Sequence, residues 1–451
     1  MRALWNFRLI ALAALLFLTG PMRCTAPGAW AAAAPRVSTA GIPSADAQTE
    51  ALLTFLKNRD YAGAFKLFDA NMKAVVTEEK LKALWEVQLA PLGRLTAWTM
   101  APIPPQQGFE VRVGTLKFEN GGLQGTVAVD PKTGLISGFY VKPMTPSPAR
   151  TLAAYVDTTA FRAVEVPVGR EPYLLGGTLT IPKGPGPFPA AVLIHGSGPA
   201  DRDETIGANR VFRDLAEGLS SHGVAVLRYD KRTLRYGASM KGPITLDTEV
   251  IDDARAAIQL LRARKDIDPK RIFVIGHSLG AFLAPEIGVR AAPVAGVALL
   301  APPGRSPYDI IVAQMRYLEA PDKEIVEIER KIALIKSGKG DTETLLGASG
   351  AYWKEWAARD EIAMAKKLGR PILILHGDRD FQVVNEDIAA WRKGLAGIAH
   401  VEFATFPGLS HLFIKGEGKP SPSEYDIPGH VEPAVIERLH AFIAPPAATA
   451  R

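Results

Sequence analysis

A serine flanked by glycines is the strongest chemical signal in this sequence of 451 residues. It lies in Gly276–Gly280, GHSLG, which follows the apolar run RIFVI and precedes the helical pattern AFLAPEIGVRAA. In a turn from strand to helix, the glycines permit a tight backbone that exposes the serine hydroxyl. The dipole of the following helix favours negative charge at that point. We therefore predict that Ser278 is a catalytic nucleophile rather than part of a chance pentapeptide.

A serine hydroxyl needs a base to take its proton and an acid to orient that base. Asp380 follows the apolar run ILILHG, within GDRDFQV, and His411 follows the run HVEFATF, within FPGLSHLF. The carboxyl ends of parallel strands meet at one edge of a sheet, where Ser278 also emerges. The order serine, aspartate, histidine therefore predicts a triad of Ser278, Asp380 and His411.

Asp378 is an alternative to Asp380, because both follow the same predicted strand. We favour Asp380, since Gly377, Asp380 and Val383 match the pattern G-x-x-D-x-x-V that is usual after this strand. Asp378 is then expected to cap the turn.

Acyl transfer places negative charge on a carbonyl oxygen, which backbone N–H groups must meet. One donor is predicted at the Leu279 amide, directly after the nucleophile. The second is predicted in HGSG, after the run AAVLI, with Ser197 as first choice and Gly196 and Gly198 close behind. Glycines let the backbone approach a substrate without a Cβ in the way. His195 itself is interpreted as a strand-end hydrogen-bonding residue.

The residues that follow, PADRDE, have two interpretations. Their acids, Asp201, Asp203 and Glu204, either brace the loop through Arg202 and nearby basic residues or face the amine of a peptide substrate. The first arrangement is compatible with an esterase, and the second would favour a peptidase.

A parallel sheet is needed to bring these residues together. Six apolar runs alternate with helical patterns, which is typical of an α/β fold with buried central strands. They are AAVLIH, VAVLRYD, RIFVIGH, VAGVALL, PILILHG and HVEFATF, preceded by a strand pair in RAVEVPV and YLLGGTLTIP. We predict this domain at 156–445. Its helical segment at about 303–368 is long enough to be a candidate lid.

Three further segments precede that domain. Residues 1–34 combine arginines, the apolar run LIALAALLFL and small residues, which is typical of a cleaved signal peptide and predicts a periplasmic or secreted protein. The apolar run is too short to span a bilayer, so no stable membrane span is expected after cleavage. Residues 47–141 combine helical spacing with a hairpin signal and predict a small α+β domain. Residues 142–155 are rich in proline and predict a linker.

Composition and charge exclude several kinds of partner and chemistry. The net charge is +6 and basic residues are interspersed with acids, so no nucleic-acid partner is expected. The single cysteine, Cys24, lies in the predicted signal peptide, which excludes disulfides and thiolate catalysis in the mature form. No histidine pair has zinc-ligand spacing, and we expect neither a metal site nor a cofactor.

The combination of HGSGPADRDE, GHSLGAF, GDRDFQV and GLSHLF resembles bacterial α/β-hydrolase carboxylesterases of the serine aminopeptidase-like branch. The resemblance extends over roughly Ala160 to Ile443. It implies an α/β-hydrolase fold, hydrolysis of short acyl esters without a cofactor, and the same three triad residues.

One departure is TLRYGAS, Thr233 to Ser239, where related enzymes usually have a glycine-rich turn, so substrate preference transfers less safely than chemistry. Residues 47–141 are similar to a domain of unknown function found ahead of exported hydrolases, which implies no activity.

Three functions stay open at this point. We expect an exported serine hydrolase that cleaves small-molecule carboxylic esters with small or medium acyl chains through an acyl-enzyme. A serine aminopeptidase or an acyl-thioesterase would use the same triad. A non-catalytic envelope-binding protein would need none of these residues, and their intact set argues against it. The N-terminal domain could bind a cell-envelope ligand or only assist folding.

Overall fold

The computed structural model describes residues 43–106, 108–143, 151–237, 240–291 and 293–444. The chain divides into two compact units, of which the first comprises mainly residues before 149 and the second mainly residues after it. The predicted signal peptide, with Cys24, and much of the predicted linker lie outside the described residues. Within those residues, none of the helices combines the length and the apolar character needed to cross a membrane.

The N-terminal unit packs helices on a four-stranded antiparallel sheet. Leu52, Leu53 and Leu56 lie on one helical face and are buried in a core of their own, together with alternate strand residues. The turn predicted around Asn120–Gly122 joins the second and third strands. The elements are α1 (Ala45–Lys57), α2 (Tyr61–Lys66), α3 (Ala70–Val75), α4 (Glu78–Ala83), a π turn (Leu84–Gln88), a 3-10 turn (Ala90–Leu92), β1 (Leu95–Gln106), β2 (Phe109–Phe118), β3 (Gly121–Val129) and β4 (Ile136–Pro143), and the strands pair in chain order.

The second unit is built on an eight-stranded sheet and two short hairpins. Its strands are β5 (Phe161–Val168), β6 (Leu175–Pro182), β7 (Phe188–Ile194), β8 (Thr205–Ile206), β9 (Asn209–Arg210), β10 (Ala225–Tyr229), β11 (Ile267–His277), β12 (Gly296–Leu300), β13 (Thr344–Leu345), β14 (Ala348–Ser349), β15 (Ile372–Gly377) and β16 (Val401–Phe406). The large sheet has the order β16-β15-β12-β11-β7-β10-β6-β5, and β8–β9 and β13–β14 are the hairpins.

Helices connect the strands of this sheet. They are α5 (Val211–Ser221), α6 (Arg232–Arg235), α7 (Asp252–Arg262), α8 (Leu279–Arg290), α9 (Pro307–Tyr317), α10 (Asp322–Lys336), α11 (Gly350–Ala357), α12 (Glu361–Leu368), α13 (Asn385–Gly394) and α14 (Pro433–Ile443), with a π turn at Asp247–Ile251 and a 3-10 turn at Pro422–Asp426. Every residue of β10, β12 and β15 is buried, because helices cover the centre of the sheet.

The strand arrangement agrees with the sequence pattern. The six predicted apolar runs form β7, β10, β11, β12, β15 and β16, which pair in parallel. The predicted strand pair forms β5 and β6, which pair antiparallel with each other. Because β7, β11, β15 and β16 are parallel, the residues that follow them emerge at the same edge of the sheet.

The segment between β12 and β15 contains α9, α10, the β13–β14 hairpin, α11 and α12. Trp356 of α11 packs on Phe282 of α8, with ring centroids 6.0 Å apart. Gly288 of α8 lies so close to α12 that a Cβ there would be 2.8 Å from the Leu368 side chain. The segment thus packs directly on the helix that follows Ser278, while its role as a lid stays a prediction.

Candidate active site

Ser278 lies in a strained turn between β11 and α8, which we call the nucleophile turn (Gly276–Gly280). Its φ is 52°, in the left-handed region that non-glycine residues rarely adopt. The backbone is held there because the Ser278 N–H donates to the Leu300 carbonyl at 2.9 Å. A Cβ at Gly276 would lie 2.2 Å from the Gly280 oxygen, and one at Gly280 would lie 2.1 Å from the Ile194 oxygen. Both glycines are therefore required by close backbone contacts, in agreement with the pattern.

Asp380, and not Asp378, contacts His411. The His411 Nδ1 donates to Asp380 Oδ2 at 2.6 Å, and both side chains are almost fully buried. The other carboxylate oxygen of Asp380 accepts from the backbone N–H groups of Gln382 and Val383, at 2.8 and 3.0 Å. Asp378 is exposed and accepts from the Gly408 N–H at 2.7 Å, so it binds the loop after β16 and not the turn after β15 that it was expected to cap.

Three loops converge on Ser278. The ring of His277 lies 4.7 Å from the ring of His411, and its Nε2 donates to the His411 carbonyl at 3.0 Å. A Cβ at Gly196 would lie 3.3 Å from the Ser278 Cβ. The structure thus brings together the predicted nucleophile, the predicted base and the glycine-containing loop of residues 195–200, which we call the oxyanion loop.

A buried contact between His277 and Glu204 connects the nucleophile turn to the residues that follow the oxyanion loop. His277 Nδ1 lies 3.1 Å from Glu204 Oε2 without the alignment of a hydrogen bond, so the contact is mainly electrostatic. Burial alone would lower the pKa of His277, but the Glu204 carboxylate outweighs it and raises the pKa above its ordinary value. Burial alone would raise the pKa of Glu204, but the charge of His277 outweighs it and lowers the pKa. Each partner of the pair thus favours the charged form of the other.

The predicted oxyanion donors differ in their surroundings. The Gly196 N–H donates to Glu204 Oε1 at 2.7 Å, so this amide already has an acceptor. Ser197 is exposed, and Gly198 has φ +81°. Leu279 is the first residue of α8, where the amides lack acceptors within the helix. Of the four candidates, Gly196 is the one whose amide is engaged by a side chain, and the choice of Ser197 and Leu279 as donors stays a prediction.

The charged residues that follow the oxyanion loop face the protein. Arg202 forms a bidentate pair with Asp230, at 3.1 and 2.9 Å, and Asp203 binds Arg228 at 2.8 Å. Asp201 accepts from the N–H and hydroxyl of Thr205, at 3.0 and 2.7 Å. With Glu204 paired to His277, the acids brace the loop, as in the first of the two interpretations.

His195 has the structural role expected of it. Its Nε2 donates to the Asp201 carbonyl at 2.9 Å, and its ring packs against Phe212 and Tyr229, with centroids 4.8 and 5.6 Å away. Burial lowers the pKa of His195 to about 4, so the ring is neutral. It fixes the end of β7 instead of competing with His411 as a base.

Comparison with known proteins places this geometry in a family. The model of the alpha/beta hydrolase family matches residues 191–417, about half of the chain. Esterase EstD of Thermotoga maritima is 37% identical over 388 residues, which cover 85% of this chain and 92% of EstD. The chain belongs to the alpha/beta hydrolase family. The resemblance and the fold class predicted from the sequence are thereby confirmed, and the protein is an esterase-like α/β hydrolase.

Solved structures similar to this hydrolase are more distant. Est1E from Butyrivibrio proteoclasticus is 20% identical, with 62% of this chain and 97% of Est1E covered and a TM-score of 0.41. An esterase from Pyrococcus furiosus is 18% identical, with 55% of this chain and 83% of that chain covered and a TM-score of 0.40. Family membership rests on the two sequence matches alone.

The sequence patterns did not predict two buried ion pairs near the site of this hydrolase, although Glu204 itself was named among the acids that could brace the loop. Glu204 and His277 form one buried pair, and Lys231 and Glu249 form a second buried pair beneath the oxyanion loop. His277 occupies the variable position of the pattern G-x-S-x-G, and Lys231 follows a strand end without any pattern around it. Their location at strand ends could have indicated His277 and Lys231, whereas the pairing with Glu204 and Glu249 joins residues that are distant in sequence.

The site consists of side chains and backbone amides. Within the described ranges, no cluster of three or more histidine, cysteine, aspartate or glutamate side chains could hold a metal ion. The expectation that hydrolysis needs no cofactor stays a prediction.

Proposed function

We propose that this α/β hydrolase is an exported serine carboxylesterase that acts through Ser278, His411 and Asp380. The observation that carries the proposal is the buried hydrogen bond of 2.6 Å between His411 and Asp380. The loop of His411 also contacts His277, the residue before Ser278. This is the arrangement that a serine nucleophile requires, in which an acid orients the imidazole and the imidazole takes the serine proton.

The reaction follows from these positions. Asp380 accepts a hydrogen bond from the Nδ1–H of His411, which leaves Nε2 unprotonated and able to take the proton of the Ser278 hydroxyl as its oxygen attacks the ester carbonyl. The Ser197 and Leu279 amides stabilise the oxyanion of the tetrahedral intermediate. His411 returns the proton to the leaving alcohol, and an acyl-enzyme forms. Water, activated by His411, then attacks the acyl group and releases the acid.

Esters are favoured over peptides by the charges around the oxyanion loop. An aminopeptidase needs a carboxylate for the free amine of its substrate, and Asp201, Asp203 and Glu204 are all engaged with the protein. The similarity to EstD, which is named an esterase, supports the same choice. We propose small or medium acyl chains as substrates, with thioesters as the nearest alternative because they need the same groups.

The proposed location is the periplasm or the outside of the cell. It is supported by the composition of residues 1–34, in which arginines and an apolar run precede small residues. Mass spectrometry of the secreted or periplasmic protein would test the cleavage, since a mature N-terminus near residue 35 is expected.

The activity can be tested with an active-site label and a substrate panel. Purified protein is treated with a fluorophosphonate probe and assayed with p-nitrophenyl acetate, p-nitrophenyl butyrate, an acyl thioester and an aminoacyl anilide. We expect labelling and ester hydrolysis by the wild type and neither by Ser278→Ala. Equal labelling of both proteins would contradict the assignment of Ser278, and turnover of the anilide alone would favour a peptidase.

A further inference from the structure

Lys231 contacts the oxyanion loop from the interior of the protein. Its ammonium donates to the carbonyls of Gly196 and Gly198, at 2.7 and 2.9 Å, and to Glu249 Oε1 at 2.5 Å. A lysine ammonium has three protons, so all of them are used. The Lys231 side chain is only 3% exposed, and it is therefore a buried cation directed at loop carbonyls.

The contact with Gly196 fixes the direction of one backbone amide. The Gly196 carbonyl and the Ser197 N–H belong to the same planar trans peptide group, in which C=O and N–H point in opposite directions. Because Lys231 holds the carbonyl from the buried side, the Ser197 N–H of the same peptide group points away from Lys231, and Gly196 itself lies next to Ser278. The Gly198 carbonyl precedes Pro199, which has no N–H, so this second contact only anchors the loop.

Glu249 holds Lys231 in place, and Tyr352 interacts with Glu249. Glu249 is 4% exposed and is the counter-ion of the ammonium. Burial and the neighbouring Glu249 carboxylate hold the pKa of Tyr352 well above its ordinary value, so the hydroxyl is a neutral partner. Tyr352 belongs to α11, within the segment predicted as a lid. The polar groups beneath the loop thus extend from the oxyanion loop to this segment.

The other side of the loop is held independently. The peptide group that joins His195 to Gly196 is fixed at both ends. Its N–H, on Gly196, donates to Glu204. Its oxygen, on His195, lies at the start of α8, because a Cβ at Gly280 would be 2.6 Å from it. The peptide group before Gly196 is therefore fixed with its N–H turned toward Glu204. Of the two adjacent peptide groups, only the second leaves its N–H available to a substrate oxygen.

We propose that Lys231 is a positioning residue that aims the Ser197 amide at the oxyanion formed on acyl transfer. The proposal rests on the proposed esterase function, since it assigns how one half of the oxyanion site is organised. Lys231 does not touch the substrate, and it acts by holding the peptide group that does.

The test compares transition-state and ground-state binding in full-length variants. Lys231→Met removes the ammonium and keeps most of the side-chain volume. With p-nitrophenyl acetate we expect kcat to fall about 10- to 100-fold, because loss of an oxyanion donor costs about 100- to 1000-fold and the loop keeps some of its order. KM should change little, since the amide acts mainly in the transition state. The affinity for an alkyl trifluoromethyl ketone, which forms a hemiketal oxyanion on the serine, should fall in parallel with kcat/KM.

A neighbouring ion pair provides the matched control. Arg232, the residue after Lys231, pairs with the buried Asp253 of α7, and this contact does not involve the oxyanion loop. The double variant Arg232→Met/Asp253→Asn should keep the wild-type affinity for the trifluoromethyl ketone. An equal loss of that affinity in this control would show that Lys231 acts only through general stability, and the proposal would be overturned.

Folding is controlled with a second variant. Lys231→Met leaves Glu249 buried without its cation, which is costly. If that protein does not fold, Lys231→Met/Glu249→Gln removes both charges, and the same fall in kcat and in ketone affinity is expected. Wild-type kcat and ketone affinity in a folded variant would overturn the role of Lys231 alone. Absence of ester hydrolysis and of Ser278 labelling in the wild type would overturn both proposals.

Discussion

At the scale of single residues, two aspartates separated by one arginine have different surroundings. Asp380 is buried against His411, and Asp378 is exposed and binds the Gly408 N–H. We predict that Asp380→Asn lowers kcat for p-nitrophenyl butyrate by about 10⁴-fold, because an amide in this position favours the wrong imidazole tautomer. Asp378→Asn should keep nearly the wild-type kcat. Similar losses in the two variants would contradict the assignment of the acid.

The ion pair between Glu204 and His277 predicts a change in the pH dependence of stability. The pKa of His277 is raised in the folded wild type relative to the unfolded chain. The stabilisation that the protonated ring gives to the folded state is therefore fully present below the ordinary histidine pKa, and it is lost as pH rises through the raised value. In Glu204→Gln, burial without a counter-ion should instead lower this pKa. The variant should therefore lose the most stability, about 3–5 kcal/mol, on the acid side of neutrality. Urea unfolding at about pH 5.5 and about pH 9 measures this difference. A loss of the same size at both values would contradict the paired state of His277.

At the scale of elements, the packing of α12 on α8 places two carboxyl groups together. Glu361 is 2% exposed, and its Oε2 accepts from the Glu286 N–H at 3.2 Å. Burial and the Glu286 carboxylate raise the pKa of Glu361 to about 9. Arg359 offsets part of this charge, since it pairs with Glu286, Glu355 and Asp247.

We predict that Glu361→Gln flattens the pH dependence of stability. The folded wild type keeps a proton on Glu361 that the unfolded chain releases above the ordinary glutamate pKa, so stability falls as pH rises from that range to about 9. The slope is at most about 1.4 kcal/mol per pH unit for one group. A glutamine cannot ionise and should remove this fall. Thermal unfolding of both proteins across this range is the measurement, and parallel curves would contradict the prediction.

At the scale of the whole molecule, the two units have separate hydrophobic cores. Ser278, Asp380, His411, Lys231 and the oxyanion loop all lie in the second unit. We therefore predict that a fragment of residues 151–444 folds alone and still hydrolyses p-nitrophenyl esters. Circular dichroism, together with the ester assay, tests this prediction. A folded fragment without activity would show that the N-terminal unit contributes to catalysis.

The sequence predicted those parts of the molecule that depend on local patterns. Apolar runs predicted the six parallel strands, and short motifs predicted which residues emerge at one sheet edge. The contacts of Lys231 were beyond such reasoning, because Gly196 lies 35 residues away and no periodicity connects the two. The same holds for Glu204 and His277, whose charges pair only when β7 and β11 lie side by side. Burial and long-range pairing decided these roles.

The paired charges that follow the oxyanion loop have a consequence for the evolution of this hydrolase. Arg202, Asp203 and Glu204 each bind a residue of another element, namely Asp230, Arg228 and His277. A substitution on one side alone leaves a charge without its partner, which is costly when the site is buried. Relatives should therefore exchange these residues in pairs, and the loop can acquire a new specificity most easily at positions such as Ser197, whose side chain is exposed.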